Sequence, residues 1–205
     1  METGYETNRA ELSGTILTAP AVSHKSYGEV FYVFLLGVER RSGCQDQIPL
    51  LVSERLMWGL PVCVGRRASV LGQVRTYNEN EGGRNRLHVV LFAREFRLQE
   101  SAFAEEDANR VELEGFLCKA PIRRTSPMGR EICDLMLAVN RMYGKSDYIP
   151  CIAWGRNALY CGNLQVGNRL CLTGRLQSRE YRKKEEGGAV SLRTAYEVSI
   201  LKLEE

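Results

Sequence analysis

Asn109-Arg110-Val111-Glu112-Leu113-Glu114-Gly115 repeats, 101 residues further on, the stretch Asn8-Arg9-Ala10-Glu11-Leu12-Ser13-Gly14. At the same offset Ala19-Pro20 meets Ala120-Pro121, and Gly28 meets Gly129. Leu36-Gly37-Val38-Glu39-Arg40 meets Leu137-Ala138-Val139-Asn140-Arg141, and Asp46-Gln47-Ile48-Pro49 meets Asp147-Tyr148-Ile149-Pro150. With one inserted residue, Val64-Gly65 through Gly72 falls on Val166-Gly167 through Gly174, and Glu81-Gly82-Gly83 echoes Glu186-Gly187-Gly188. Self-similarity at one offset across most of both halves marks a duplicated unit. The chain divides into residues 1–100, a short acidic linker at 101–108, and residues 109–205, with residues 1–7 read as a frayed end.

Within each copy the hydrophobic period is two. Cys133, Leu135, Leu137 and Val139 alternate with Asp134, Met136, Ala138 and Asn140, as a half-buried strand requires. Leu170, Leu172, Gly174 and Leu176 define another inward face, and Tyr196, Val198 and Ile200 a closing strand. The second half then reads as strands at 109–118, 130–141, 147–154, 168–182 and 191–203. A hairpin tip falls at 185–188, and a short helix near 156–164 is ended by Gly162. The expected fold is all-β: two tandem five-stranded Greek-key barrels of the OB type, each with one short helix between strands 3 and 4. A different five- to six-stranded barrel or sandwich is the alternative.

Composition narrows the function classes. Of 205 residues, 44% are hydrophobic and 26% charged, which is enough apolar material for packed cores. No apolar run approaches the length of a membrane span, and the N-terminus has no signal-peptide pattern, so the chain reads as cytoplasmic, with no membrane partner. Seven cysteines, none in a Cys-x-x-Cys pair, and only two histidines, His24 and His88, argue against a structural metal and for buried thiols in a reducing compartment. Neither a nucleophile elbow nor a phosphate loop occurs; the chain reads as non-enzymatic, with no cofactor.

Charge is unevenly divided: residues 1–100 balance at +1, whereas residues 109–205 carry +5, so the second copy is the basic one. Its cations share strand faces with aromatics. Tyr148, Pro150, Ile152 and Trp154 alternate onto one side of the third strand, and Tyr143 lies in the turn before it. On the fourth strand Arg175, Gln177, Arg179 and Tyr181 project together, and Arg182-Lys183-Lys184 continues into the hairpin. Rings between cationic side chains suit unpaired nucleic acid, since bases stack on the rings while the cations follow the phosphates. Nothing in the pattern offers a helix or ribbon for a duplex groove.

In these motifs the chain resembles the bacterial single-stranded DNA-binding protein family, and more distantly the primosomal OB proteins. The resemblance rests on Asn109–Gly115, Pro127-Met128-Gly129, Leu137-Ala138-Val139-Asn140-Arg141, Ile149-Pro150-Cys151-Ile152-Ala153-Trp154-Gly155 and Gly174-Arg175-Leu176-Gln177-Ser178-Arg179-Glu180-Tyr181. It implies an OB barrel coating single-stranded DNA, with stacking aromatics at Trp154, Tyr148, Tyr181 and Tyr143. The candidate phosphate contacts are Arg123, Arg124, Arg130, Arg141, Arg156, Arg175, Arg179, Lys183 and Lys184. The first copy departs from this pattern. At the positions of Trp154, Tyr148 and Tyr143 it has Ser53, Gln47 and Ser42, and its Trp58 is expected to pack in the core.

The expected activity is sequence-independent binding of single-stranded DNA, with RNA possible, in replication, recombination or repair. The first barrel is then expected to serve as a degenerate, interface-forming copy. The resemblance further implies two chains assembling into a four-barrel particle. It also carries an expectation that the acidic C-terminal tip by which family members recruit enzymes is missing here. The alternative is an OB-fold adaptor in a replication, primosome or mobile-element complex that touches nucleic acid weakly.

Overall fold

The computed structural model describes residues 7–99, 107–184 and 188–204, without the side chains of residues 81, 84, 143 and 184. Residues 1–6, most of the acidic linker (101–106) and most of the second hairpin tip (185–187) lie outside the described residues. The first half consists of β1 (Asn8–Ile16), β2 (Ala21–Ser26), β3 (Glu29–Glu39), β4 (Gln45–Ser53), α1 (Glu54–Met57), β5 (Arg67–Glu81) and β6 (Arg84–Leu98). The second repeats this plan with β7 (Asn109–Leu117), β8 (Ile122–Thr125), β9 (Glu131–Asn140), β10 (Ser146–Trp154), α2 (Arg156–Cys161), β11 (Arg169–Lys184) and β12 (Val190–Glu204). Among the described residues no helix is long and apolar enough to cross a membrane.

Each half closes into a barrel. β1 pairs antiparallel with both β3 and β5, β7 does so with β9 and β11, and the third and fifth barrel strands (β4 with β6, β10 with β12) meet in parallel. That is the five-stranded OB plan, with its helix between the third and fourth barrel strands. The alternation read from the sequence is realised: Cys133, Leu135, Leu137 and Val139 pack inward with Ile149, Cys151, Ala153, Leu170, Leu172 and Leu176. Ala158 and Cys161 of α2 join the same core.

Three features depart from the sequence reading. A sixth, short strand precedes the second barrel strand in each half; β2 and β8 lie at the sheet's ends and are almost wholly exposed, so they carry no alternation to read. Thr7 is not frayed, for its carbonyl accepts from the Glu114 N–H at 2.8 Å. The end of the linker is pinned as well: Asp107 pairs with Arg67 and accepts from the Glu39 N–H at 2.8 Å, and the Ala108 N–H donates to Ser13 Oγ at 2.7 Å.

The fourth barrel strand bends where the register shifts, at Leu71/Gly72 in β5 and Thr173/Gly174 in β11. A Cβ on Gly174 would stand 2.5 Å from the Ser199 carbonyl oxygen, and one on Gly72 2.1 Å from that of Phe92. Only glycine permits that backbone approach, which lets one strand serve both walls of the barrel.

The barrels are not beads on a string. β1 pairs antiparallel with β7, with Ala10 opposite Val111, and joins all strands into one 12-stranded sheet. Ala10 and Val111 are repeat equivalents, so a pseudo-two-fold axis passes between them.

Candidate nucleic-acid interface

The outward face of the second barrel is set by strand parity. On β10, Ile149, Cys151 and Ala153 point inward, leaving Tyr148, Pro150, Ile152 and Trp154 on the other side. Tyr148 (48%), Trp154 (39%) and Tyr181 (37%) are exposed despite their size, whereas Ile152 is buried beneath its neighbours. Immediately after Trp154, Gly155 adopts φ +56°, which turns the chain into α2 and leaves the indole at the strand's end.

Trp154 forms part of a groove of about 690 Å³ whose walls include Arg124 and Arg130, from β8 and the turn after it, and Arg175 and Arg179 from β11. Arg175 Nε is buried there with no hydrogen-bond partner among the described residues. A buried guanidinium nitrogen left unpaired is costly, and an acceptor from a ligand relieves that cost. Arg124 is held by Asp134 in two hydrogen bonds of 2.6 and 3.0 Å. The Arg179 guanidinium lies 5.9 Å from the centroid of the Tyr181 ring, presenting cation and ring as one unit.

A second groove, of about 590 Å³, adjoins the first. It is lined by Tyr181, Lys183, Arg193 and Tyr196 of the second barrel and by Asn85, Arg86 and Leu87 of β6 in the first. Glu197 borders both grooves. Its Oε1 accepts from the Gln177 amide at 2.9 Å and lies 3.6 Å from Arg179 Nε.

The residues singled out from the sequence are therefore distributed unevenly. Trp154, Arg124, Arg130, Arg175 and Arg179 share the first groove; Tyr181 and Lys183 line the second. Tyr148, Arg123 and Arg156 are exposed but outside both linings, and Arg123 is paired with Glu131 at 3.3 Å. Tyr143 belongs to a 3₁₀ turn, Met142–Gly144, and its side chain and that of Lys184 lie outside the described residues. Arg141 is placed elsewhere altogether. It forms an ion pair with Asp147, which is fully buried at the junction between the barrels, and donates to the Thr76 carbonyl at 3.1 Å. A guanidinium committed to a buried carboxylate is not available to phosphate.

Trp58 corrects the core expectation in the opposite sense: it is 86% exposed. It caps the single turn of α1 at φ −56°, ψ 124°, a turn with no buried residue, so the chain leaves the barrel before the indole can enter it. Other contributors were missed. Arg40, from the first barrel, lines the Trp154 groove, and no pattern within one copy signals a cross-barrel neighbour. Glu197 was readable, because it has the opposite parity to Val198 and Tyr196 on the closing strand.

Two arginines at the junction are perturbed in opposite directions. The Asp46 carboxylate beside Arg40 raises that guanidinium's pKa, chiefly through their hydrogen bond. On the other side burial, and then the neighbouring Arg141, push Arg75 below its ordinary value.

Residues 108–204 match the model of the single-strand binding protein family. That match lies in the C-terminal half of the chain. Over 84 residues the chain is 39% identical to single-stranded DNA-binding protein 1 of Staphylococcus aureus (strain COL), covering 38% of this chain and 50% of that protein. It is 37% identical over 84 residues to single-stranded DNA-binding protein A of Bacillus subtilis (strain 168), covering 38% and 49%. The chain thus spans about half the length of these curated relatives. The fold of the whole chain is shared with the wild-type single-stranded DNA binding protein from Thermus aquaticus, at a TM-score of 0.72 and 24% identity, covering 96% of this chain and 91% of that one. The family match thus falls on the half that carries the cationic grooves.

Proposed function

We propose that the chain binds single-stranded DNA without regard to sequence, through the outward face of its second barrel. One observation carries the reading: an exposed indole, Trp154, stands in a groove with five arginines, one of which keeps a buried nitrogen without a partner among the described residues. Bases stack on Trp154, Tyr148 and Tyr181, with Tyr143 as a fourth platform on sequence grounds. Arg124, Arg130, Arg175, Arg179 and Lys183 take the phosphates, with Arg123 and Arg156 flanking them and Lys184 added on sequence grounds. Stacking contributes ~1–3 kcal/mol per base and is indifferent to base identity, because every base has a π-face.

Titration with oligodeoxynucleotides of increasing length, followed by tryptophan fluorescence, tests this directly. Salt-sensitive quenching is expected, with log affinity falling by ~0.7 per log salt for each phosphate contacted. Absence of quenching with every oligonucleotide sinks the proposal and favours the adaptor reading. A parallel RNA series separates DNA from RNA.

Two chains associating into a four-barrel particle is part of the same proposal. Sedimentation at micromolar concentration decides it; a monomer of the mass of one chain rules it out.

A further inference from the structure

The first barrel lacks the family's stacking residues, but it does not lack a stacking surface. In the second barrel Trp154 on β10 is paired with Ile132 on β9. The repeat-equivalent pair in the first is Ser53 on β4 with Phe31 on β3, so the aromatic has crossed to the facing strand. Phe31 has outward parity, opposite to the buried Phe34, Leu36 and Val38.

Around Phe31 a ladder continues. The His24 ring stacks on Phe31 with centroids 5.0 Å apart and planes 9° from parallel. Phe92 of β6 follows at 6.0 Å, and the Arg75 guanidinium lies 5.7 Å from the Phe92 centroid. On the neighbouring stretch of β5 and β6, Tyr77 and His88 stack at 5.0 Å and 8°, with Tyr77 49% exposed. Both histidines of the chain are in these stacks.

The surface is continuous with the proposed site. The groove that holds Tyr181 and Lys183 takes its other wall from Arg86 and Leu87 of β6, directly before His88. We infer that a single strand leaving the second barrel crosses this groove and continues onto the first barrel, where bases stack on Tyr77, His24 and Phe31. The occupant is unpaired nucleic acid rather than a protein because the ladder combines flat, half-exposed rings with cations, and opens from a cationic groove instead of standing alone. The first barrel is then a second binding surface with its own residue set, and the inference rests on the second barrel binding the strand first.

The test uses the full chain. Tyr77→Ala and His24→Ala, both exposed positions, are compared with wild type over a series of oligodeoxythymidylates. For the longest oligonucleotides the double variant is expected to bind at least about fivefold more weakly, the equivalent of one lost stack. Its affinity for the shortest oligonucleotide that quenches Trp154 should be unchanged. An unaltered length dependence overturns the inference while leaving the second-barrel reading intact; loss of quenching in wild type defeats that reading instead. Photo-crosslinking of 5-iododeoxyuridine-substituted strands supplies an independent readout. Adducts on peptides containing Tyr77, His24 or Phe31 are expected, and adducts confined to residues 109–205 contradict the inference.

Discussion

Asp147 of the second barrel accepts a 2.6 Å hydrogen bond from the backbone N–H of Thr76 in the first, and the relationship is returned: Asp46 of the first barrel accepts at 2.8 Å from the N–H of Ser178 in the second. Both carboxylates are fully buried, each beside the arginine of its own barrel, Arg141 or Arg40. The hydroxyls repeat the exchange, with Thr76 Oγ1 accepting from the Tyr148 N–H and Ser178 Oγ from the Gln47 N–H. Asn8 and Asn109 complete the symmetry, each bridging the fourth strand of its own barrel, at Val74 and Leu176. Each barrel therefore clamps the other's fourth strand.

Removing one clamp leaves half-buried guanidinium groups without their buried carboxylate. Asp147→Ala exposes Arg141, and Arg75 at 3.5 Å, to that penalty, and is expected to cost about 3–5 kcal/mol of unfolding free energy. Denaturant unfolding followed by circular dichroism measures it; a loss below 1 kcal/mol would show the clamp to be incidental.

Arg141→Ala and Arg175→Ala should separate structure from binding. The first is expected to lower stability and leave the salt dependence of DNA affinity unchanged. The second is expected to leave stability nearly intact, since Arg175 Nε has no partner to lose among the described residues, and to reduce the log–log salt slope by ~0.7. Equal slopes for both variants would contradict this division of labour.

Trp154→Ala and Tyr181→Ala are each expected to weaken binding of oligodeoxythymidylate by ~1–3 kcal/mol. Trp58→Phe, at an exposed site, should change unfolding free energy by no more than about 0.5 kcal/mol and leave Trp154 as the sole indole reporter. Undiminished quenching in the Trp58→Phe variant, together with its loss in Trp154→Ala, is the pattern that supports the site.

The thiols predict an alkaline limit. Burial, and then Cys133, push the Cys161 thiol from its ordinary value near 9 up to about 12, and burial raises Cys151 as well. The native state therefore holds protons that the unfolded chain releases above pH 9. The stabilisation is complete below pH 9 and is lost as pH rises toward 12. Unfolding free energy measured from pH 8 upward should fall across this window. At pH 8 a thiol reagent should react quickly at the exposed Cys44 and Cys63, and at Cys133, Cys151 and Cys161 only on unfolding. Fast reaction at the latter three in native protein would refute the assignment.

How much was readable from residue order alone depended on whether the signal was local. Alternation at Cys133–Val139 and Leu170–Leu176 placed strands within a residue or two of their observed limits, because inward and outward side chains on a strand have no other arrangement. The same parity put Trp154 and Tyr148 outside the barrel. β2 and β8 escaped notice because an exposed edge strand imposes no pattern on its side chains. Trp58 was misplaced because a one-turn helix gives no face from which burial can be read.

The duplication, the barrel type and the outward aromatics of the second half were written in periodicity and spacing, which act between near neighbours in the chain. The cross-barrel clamp, Arg141's withdrawal from the groove and Arg40's entry into it arose only when β1 met β7, as the ladder did when β2, β3, β5 and β6 of the first barrel met. The β1–β7 pairing brings residues about 70 to 140 positions apart into hydrogen-bond range, and no pattern within a single strand can encode which distant partner a side chain will meet.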